Sequence, residues 1–115
     1  MVALSRNLPN KYAMEMLLTG DMVPASRAAE MGLVNKVVPS NELRAASMAL
    51  AGKIAAKSSL TVATGKHAFY EQKEMDLEAA YNYASSIMVD NMLARDAEEG
   101  IAAFIEKRTP EWRDE

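Results

Sequence analysis

AMEMLLTGDMVPASRAAEMGLVNKVVPSNEL runs from Ala13 to Leu43, and its punctuation decides the fold class. Tyr12, Ala13, Met16 and Leu17 recur at helical spacing, so a helix is expected over Ser5–Leu18. Gly20 follows where a helix needs a left-handed stop. Pro24 then opens a second, short helix, PASRAAEM, which Gly32 closes. The next run, LVNKVVP, is β-branched and bounded by Gly32 and Pro39, so it reads as a short extended piece. It is too short and too isolated to found a sheet.

Toward the C-terminus the helical pattern continues. Ser40 is placed to cap a long helix with an apolar stripe of Leu43, Ala46, Leu50 and Ile54. Ser59 is placed to cap another, LTVATGKHAFYEQK, and Asp76 a third, where Leu77, Tyr81, Ala84, Met88 and Asn91 share a face. Asp96 and Glu99 form an Asp-x-x-Glu pattern resembling a capping box for the last helix. Ile101, Phe104 and Ile105 are expected on its buried side, and Pro110 is expected to stop it. The expectation is an all-α class: five or six helices, at most one short strand, and one helical domain over residues 1–115. Alanine-rich faces bury little area per residue. Oligomerisation or a companion domain would supply what such a core lacks.

Composition removes several function classes. There are no cysteines, which excludes disulfides, thiolate catalysis and Cys-ligated metal. The net charge is −3 with the signs interspersed, so nothing argues for nucleic acid. No apolar run approaches the ~20 residues that span a bilayer, and MVALSRNLPN is too short and polar for a signal peptide. The expected setting is soluble and reducing: cytoplasm, or the mitochondrial matrix in a eukaryote. The nine methionines read mainly as core filling, with adaptable interface as the lesser reading.

The candidate chemical motifs are few. Thr64–His67, TGKH, has Gly-Lys but lacks both the upstream glycine and the following Ser/Thr of a phosphate loop. His67, the only histidine, stands four residues from Glu71, an ordinary helix pairing with no orienting partner for catalysis. No set of ligand residues has metal-site spacing. The carboxylates from Glu71 to Glu99 sit in caps, first turns and polar faces, where they favour helix N-termini. Phe104 has core packing as its plain role, and Lys107 with Arg108 suits a helix C-terminus. The functional alternative is an anionic, phosphate-bearing ligand held by Lys107 beside an aromatic ring.

The order and spacing of these pieces resemble the enoyl-CoA hydratase (crotonase) family. That family shows A-x-E-M-x-x-T-G-D, then A-x-x-A-x-x-x-G-L-V, then V-V-P, and a C-terminus like EGIAAFIEKRTPEW. The resemblance implies the family's C-terminal helical region, which packs on a β/α core, builds trimers and helps close the coenzyme A site. It implies a parent reaction, hydration of 2-enoyl-CoA thioesters, with an acyl-CoA as substrate and no covalent cofactor. The oxyanion-hole glycines and the two water-activating glutamates of that reaction lie upstream of the matching segment, so no catalytic residue is carried over. The family's Phe-x-x-Lys, near the adenine end of coenzyme A, falls on Phe104 and Lys107. The alternative is a free-standing helical oligomerisation or interaction module without enzyme activity.

Overall fold

The computed structural model describes residues 1–115, and the chain is all-α, with no strand. It divides into two compact units, Met1–Ala46 and Ser47–Glu115. Seven α-helices and one 3₁₀ turn form, one helix more than the six that the sequence pattern sets out.

In the first unit the expected helix over Ser5–Leu18 is two helices, α1 (Val2–Asn7) and α2 (Asn10–Thr19). Pro9 divides them. The residue before a proline is pushed out of the α region, and Leu8 is extended at φ −117° and ψ 152°. Leu8 uses that break to turn inward, where it is buried with Ala13 and Met31 against Leu4, Tyr12, Met16, Val23 and Leu33. Gly20, at φ 67°, closes α2 with its N–H on the Met16 carbonyl, as expected. Pro24 precedes α3 (Ala25–Glu30), and Gly32 at φ 84° ends that turn, with the Leu33 N–H on the Ala28 carbonyl at 2.8 Å. The LVNKVVP run forms no strand: a strand must pair its backbone groups with a neighbour, and none forms here. Pro39, not Ser40, stands before the next element, and Ser40–Glu42 is a 3₁₀ turn leading into α4 (Leu43–Ala55).

The second unit holds the rest of α4, then α5 (Ser59–Gln72), α6 (Leu77–Met92) and α7 (Arg95–Glu106). Ser58, one residue before the expected cap, accepts the Thr61 N–H at 3.2 Å and starts α5. Asp76 caps α6 as expected, accepting the Ala79 N–H at 2.9 Å. The buried residues of the second unit are Ser58, Asp96 and Ala103, and of these only Ala103 is apolar. Leu50, Ile54, Leu77, Tyr81 and Met88, all on expected core stripes, are exposed.

The last helix is turned over relative to expectation. Ile101, Phe104 and Ile105 face out, with Phe104 85% exposed, while Ala103 at 1% faces in. Amphipathic spacing shows that one face is apolar and does not show what covers it. Phe104→Ala is therefore expected to change the unfolding free energy of the isolated chain in its monomeric form by less than about 0.5 kcal/mol. Urea titration checks this, and a loss near the ~3 kcal/mol of a buried phenylalanine would contradict the exposed placement.

Candidate functional site

The site is built where α7 ends and the tail doubles back. The helix stops at Glu106, ahead of Pro110, because Lys107 turns left-handed at φ 55° and ψ 39°. The Arg108 N–H donates to the Ala103 carbonyl at 3.0 Å and the Lys107 N–H to the Phe104 carbonyl at 3.4 Å. This is the double bond of a Schellman turn. Glycine normally occupies that position, since a Cβ there costs roughly 1–2 kcal/mol.

Asp96 and Glu99 do not form a capping box. Ala94 is the residue before α7, and no side chain caps it. Both carboxylates instead hold the tail. Glu99 takes the Arg108 guanidinium as a fork, at 2.5 Å and 2.9 Å, and accepts the Glu111 N–H at 2.8 Å. Arg108 also donates through Nε to Glu106 at 2.6 Å. Arg108, and then the Glu111 N–H, hold the Glu99 carboxyl down at about 2, well below its usual range. Asp96, 2% exposed, is bonded by the Ser58 hydroxyl and accepts the N–H groups of Arg113 at 2.8 Å and Asp114 at 3.1 Å. Those bonds, Ser58 foremost, lower its pKa.

The tail then reaches the start of α5. Asp114, left-handed at φ 61°, accepts the Ser59 N–H at 2.8 Å and the Leu60 N–H at 3.3 Å; the Ser59 hydroxyl first, and then these N–H groups, lower its pKa. It satisfies orphan donors of the helix N-terminus that Ser58 leaves free. Trp112 donates its indole N–H to the Ala56 carbonyl at 2.8 Å. Its ring edge lies 3.3–3.4 Å from where a Cβ on Gly100 would stand, so the glycine in mid-helix makes room for the ring. The tail is thus a strap joining both ends of α7 to the α4–α5 junction.

Trp112 also floors a groove of about 670 Å³ walled by Val62, Met92, Ile101 and Phe104, with Lys57 and Lys66 among its lining. Asn91 lines it too, and its Oδ1 is buried without a hydrogen-bond partner. Glu111 and Arg113, on either side of Trp112, line a separate polar cleft of about 710 Å³ with Arg95, Glu98, Glu99 and Arg108.

Of the two residues singled out from sequence, Phe104 stands at the groove and Lys107 is outside its lining. The Lys107 ammonium makes no ion pair within the chain. His67 and Glu71 are an exposed pair at 4.0 Å. No cluster of three or more His, Asp or Glu side chains is placed to hold a metal ion, and no helix is long and apolar enough to cross a membrane. The strap residues Asp96, Glu99, Trp112 and Asp114 were not legible as a set. The one local hint is glycine in mid-helix at Gly100, which signals a close neighbour.

Comparison with known proteins gives the chain its context. The family profile described as enoyl-CoA hydratase/isomerase matches residues 1–115. The mouse enoyl-CoA hydratase domain-containing protein 3, mitochondrial, is 50% identical over 96% of this chain and 37% of its own length. The human protein of that name is 48% identical over 99% of this chain and 38% of its own. Among solved structures, an enoyl-CoA hydratase from Mycobacterium smegmatis superimposes with a TM-score of 0.91 at 50% identity, over 96% of this chain and 43% of that one. The human domain-containing protein 3 gives 0.92 at 49%, over 96% and 44%. The chain spans well under half the length of these relatives and matches their C-terminal part. With the order of motifs, the helical architecture and a profile match along its whole length all in agreement, the chain belongs to the enoyl-CoA hydratase/isomerase family.

Proposed function

We propose that this chain serves as the oligomerisation and coenzyme A site-closing region of an enoyl-CoA hydratase-like protein whose reaction is hydration of 2-enoyl-CoA thioesters. The carrying observation is the outward stripe of α7, Ile101, Phe104 and Ile105, in a unit whose only buried apolar side chain is Ala103. An apolar face of that extent needs a cover. A second copy and a β/α core are the covers this reading assigns, with a trimer as the assembly. The buried, unpartnered Asn91 Oδ1 fits the same reading, because a covering surface would supply its donor.

In this reading Phe104 offers an aromatic face and Lys107 a cation to the nucleotide end of a coenzyme A thioester. The names of the relatives support the ligand class: the mouse one is named for an enoyl-CoA hydratase domain, and one from Thauera aromatica, 38% identical, is an (E)-benzylidenesuccinyl-CoA hydratase. The chain contributes assembly and ligand closure, while water activation and the oxyanion hole belong to the core. The mitochondrial designation of the mouse and human relatives supports the matrix as its place in a eukaryote.

Sedimentation equilibrium of the purified chain, with and without coenzyme A, tests this. A closed oligomer, with trimer as the expected species, is the anticipated result. A strict monomer at high micromolar concentration would reject self-assembly, and indifference to coenzyme A would reject a ligand contact carried by this chain's own residues.

A further inference from the structure

We propose that Arg108 is a positioning residue for Lys107: it clamps the turn around Lys107 and occupies the carboxylates that would otherwise capture the Lys107 ammonium. The inference rests on the reading of Lys107 as a contact to an anionic, phosphate-bearing ligand, and it names the device that keeps that contact available.

Three observations carry it. First, Lys107 is a side-chain-bearing residue in left-handed backbone, where glycine would fit without strain. Such conformations persist only where the surroundings over-determine them, and they cluster at ligand sites. Second, the surroundings here are mostly Arg108. Its backbone N–H completes the turn on Ala103, and its guanidinium ties Glu106, just before Lys107, to Glu99, one helical stretch earlier. Glu99 in turn holds the Glu111 N–H, so both ends of the Arg108–Glu111 segment that follows Lys107 are fastened to one carboxylate. Third, the charges of this turn are unevenly engaged. Glu99 and Glu106 both accept from Arg108, and Lys107 pairs with neither carboxylate. A planar fork satisfies carboxylates bidentately in a way an ammonium cannot. Arg108 therefore outcompetes Lys107 for both carboxylates and leaves the ammonium for something outside the chain.

The test is an NMR titration of the ¹⁵N-labelled full chain with coenzyme A, which reads contacts down to millimolar affinity. Lys107→Ala examines the underlying reading, and Arg108→Met examines this inference. Both are expected to weaken coenzyme A binding at least fivefold, on the order of one charge-assisted hydrogen bond. Arg108→Met with Glu106→Gln is expected to recover part of the affinity without recovering the melting temperature, because it removes a competitor for Lys107 and restores no clamp. If Arg108→Met does not fold, Arg108→Lys, which keeps the charge and loses the fork, replaces it with the same expectation and the same rescue.

No binding by the unaltered chain, or unchanged affinity in Lys107→Ala, overturns the ligand reading and this inference with it. A weakened Lys107→Ala beside an Arg108 variant of unchanged affinity overturns the positioning role alone. So does a folded double variant with no recovery, which would reduce Arg108 to ordinary support of the turn.

Discussion

Trp112→Ala is expected to lower the unfolding free energy of the second unit by roughly 2–3 kcal/mol, below the 3–5 of a fully buried aromatic because the ring is only partly covered. The loss has two sources. The ring packs on the bare backbone of Gly100 and floors the groove under Phe104 and Ile101. The indole N–H holds the Ala56 carbonyl, an orphan acceptor beyond the end of α4. Trp112→Phe separates them: it keeps most of the ring area and removes the donor, so about 1 kcal/mol is expected. Because the unit buries almost no other apolar side chain, a loss of this size removes much of the marginal stability of a small domain. Urea unfolding followed by far-ultraviolet circular dichroism measures both variants. An alanine variant within 0.5 kcal/mol of the parent would mean that the strap lies on the helices without holding them.

The strap also shows where sequence reasoning reaches and where it stops. Gly20, Gly32, Pro24 and Asp76 act through backbone geometry within a few residues, and each does in the structure what its type and position imply. The break at Pro9 was equally local, and the steric rule for the residue before proline was available to find it. Asp96 and Glu99 are different. An acidic residue in the first turn of a helix is favoured by the dipole whether it caps the helix or binds something else. Their partners in the tail, Arg108, Glu111, Arg113 and Asp114, lie 9 to 18 residues away and are fixed only once Lys107 turns left-handed. The valines of LVNKVVP fail for the complementary reason: β propensity reports a fit to a sheet, and there is no sheet to fit. The reading of Phe104 and Lys107 as ligand contacts rests on the basic end of the last helix and on a family pattern, and nothing in helical periodicity chooses the outward face for Phe104.

Acid is expected to release the strap, and the pH range follows from the carboxylates that hold it. Glu99, Asp96 and Asp114 all have depressed pKa values in the folded chain. A group of that kind binds fewer protons folded than unfolded, so its stabilisation is complete above the unfolded pKa and is lost as pH falls through the folded one. For Glu99 that window runs from 4.5 down to about 2. For Asp96 and Asp114 it begins at 3.8 and extends below it. Burial, and after it the Asp114 charge, opposes ionisation of Asp96, but the hydroxyl and N–H donors outweigh both and the net direction stays downward. Trp112 is the only tryptophan and sits in the strap, so its emission reports release directly. Emission is expected to hold steady from pH 7 to about 4.5 and to shift toward that of a solvated indole between there and pH 2. Glu99→Gln, which cannot gain or lose this proton, is expected to flatten the pH dependence while weakening the strap at neutral pH. Release centred above pH 5 would contradict the assignment of these carboxylates as the fastenings, because all three are ionised there in both the strapped and the released chain.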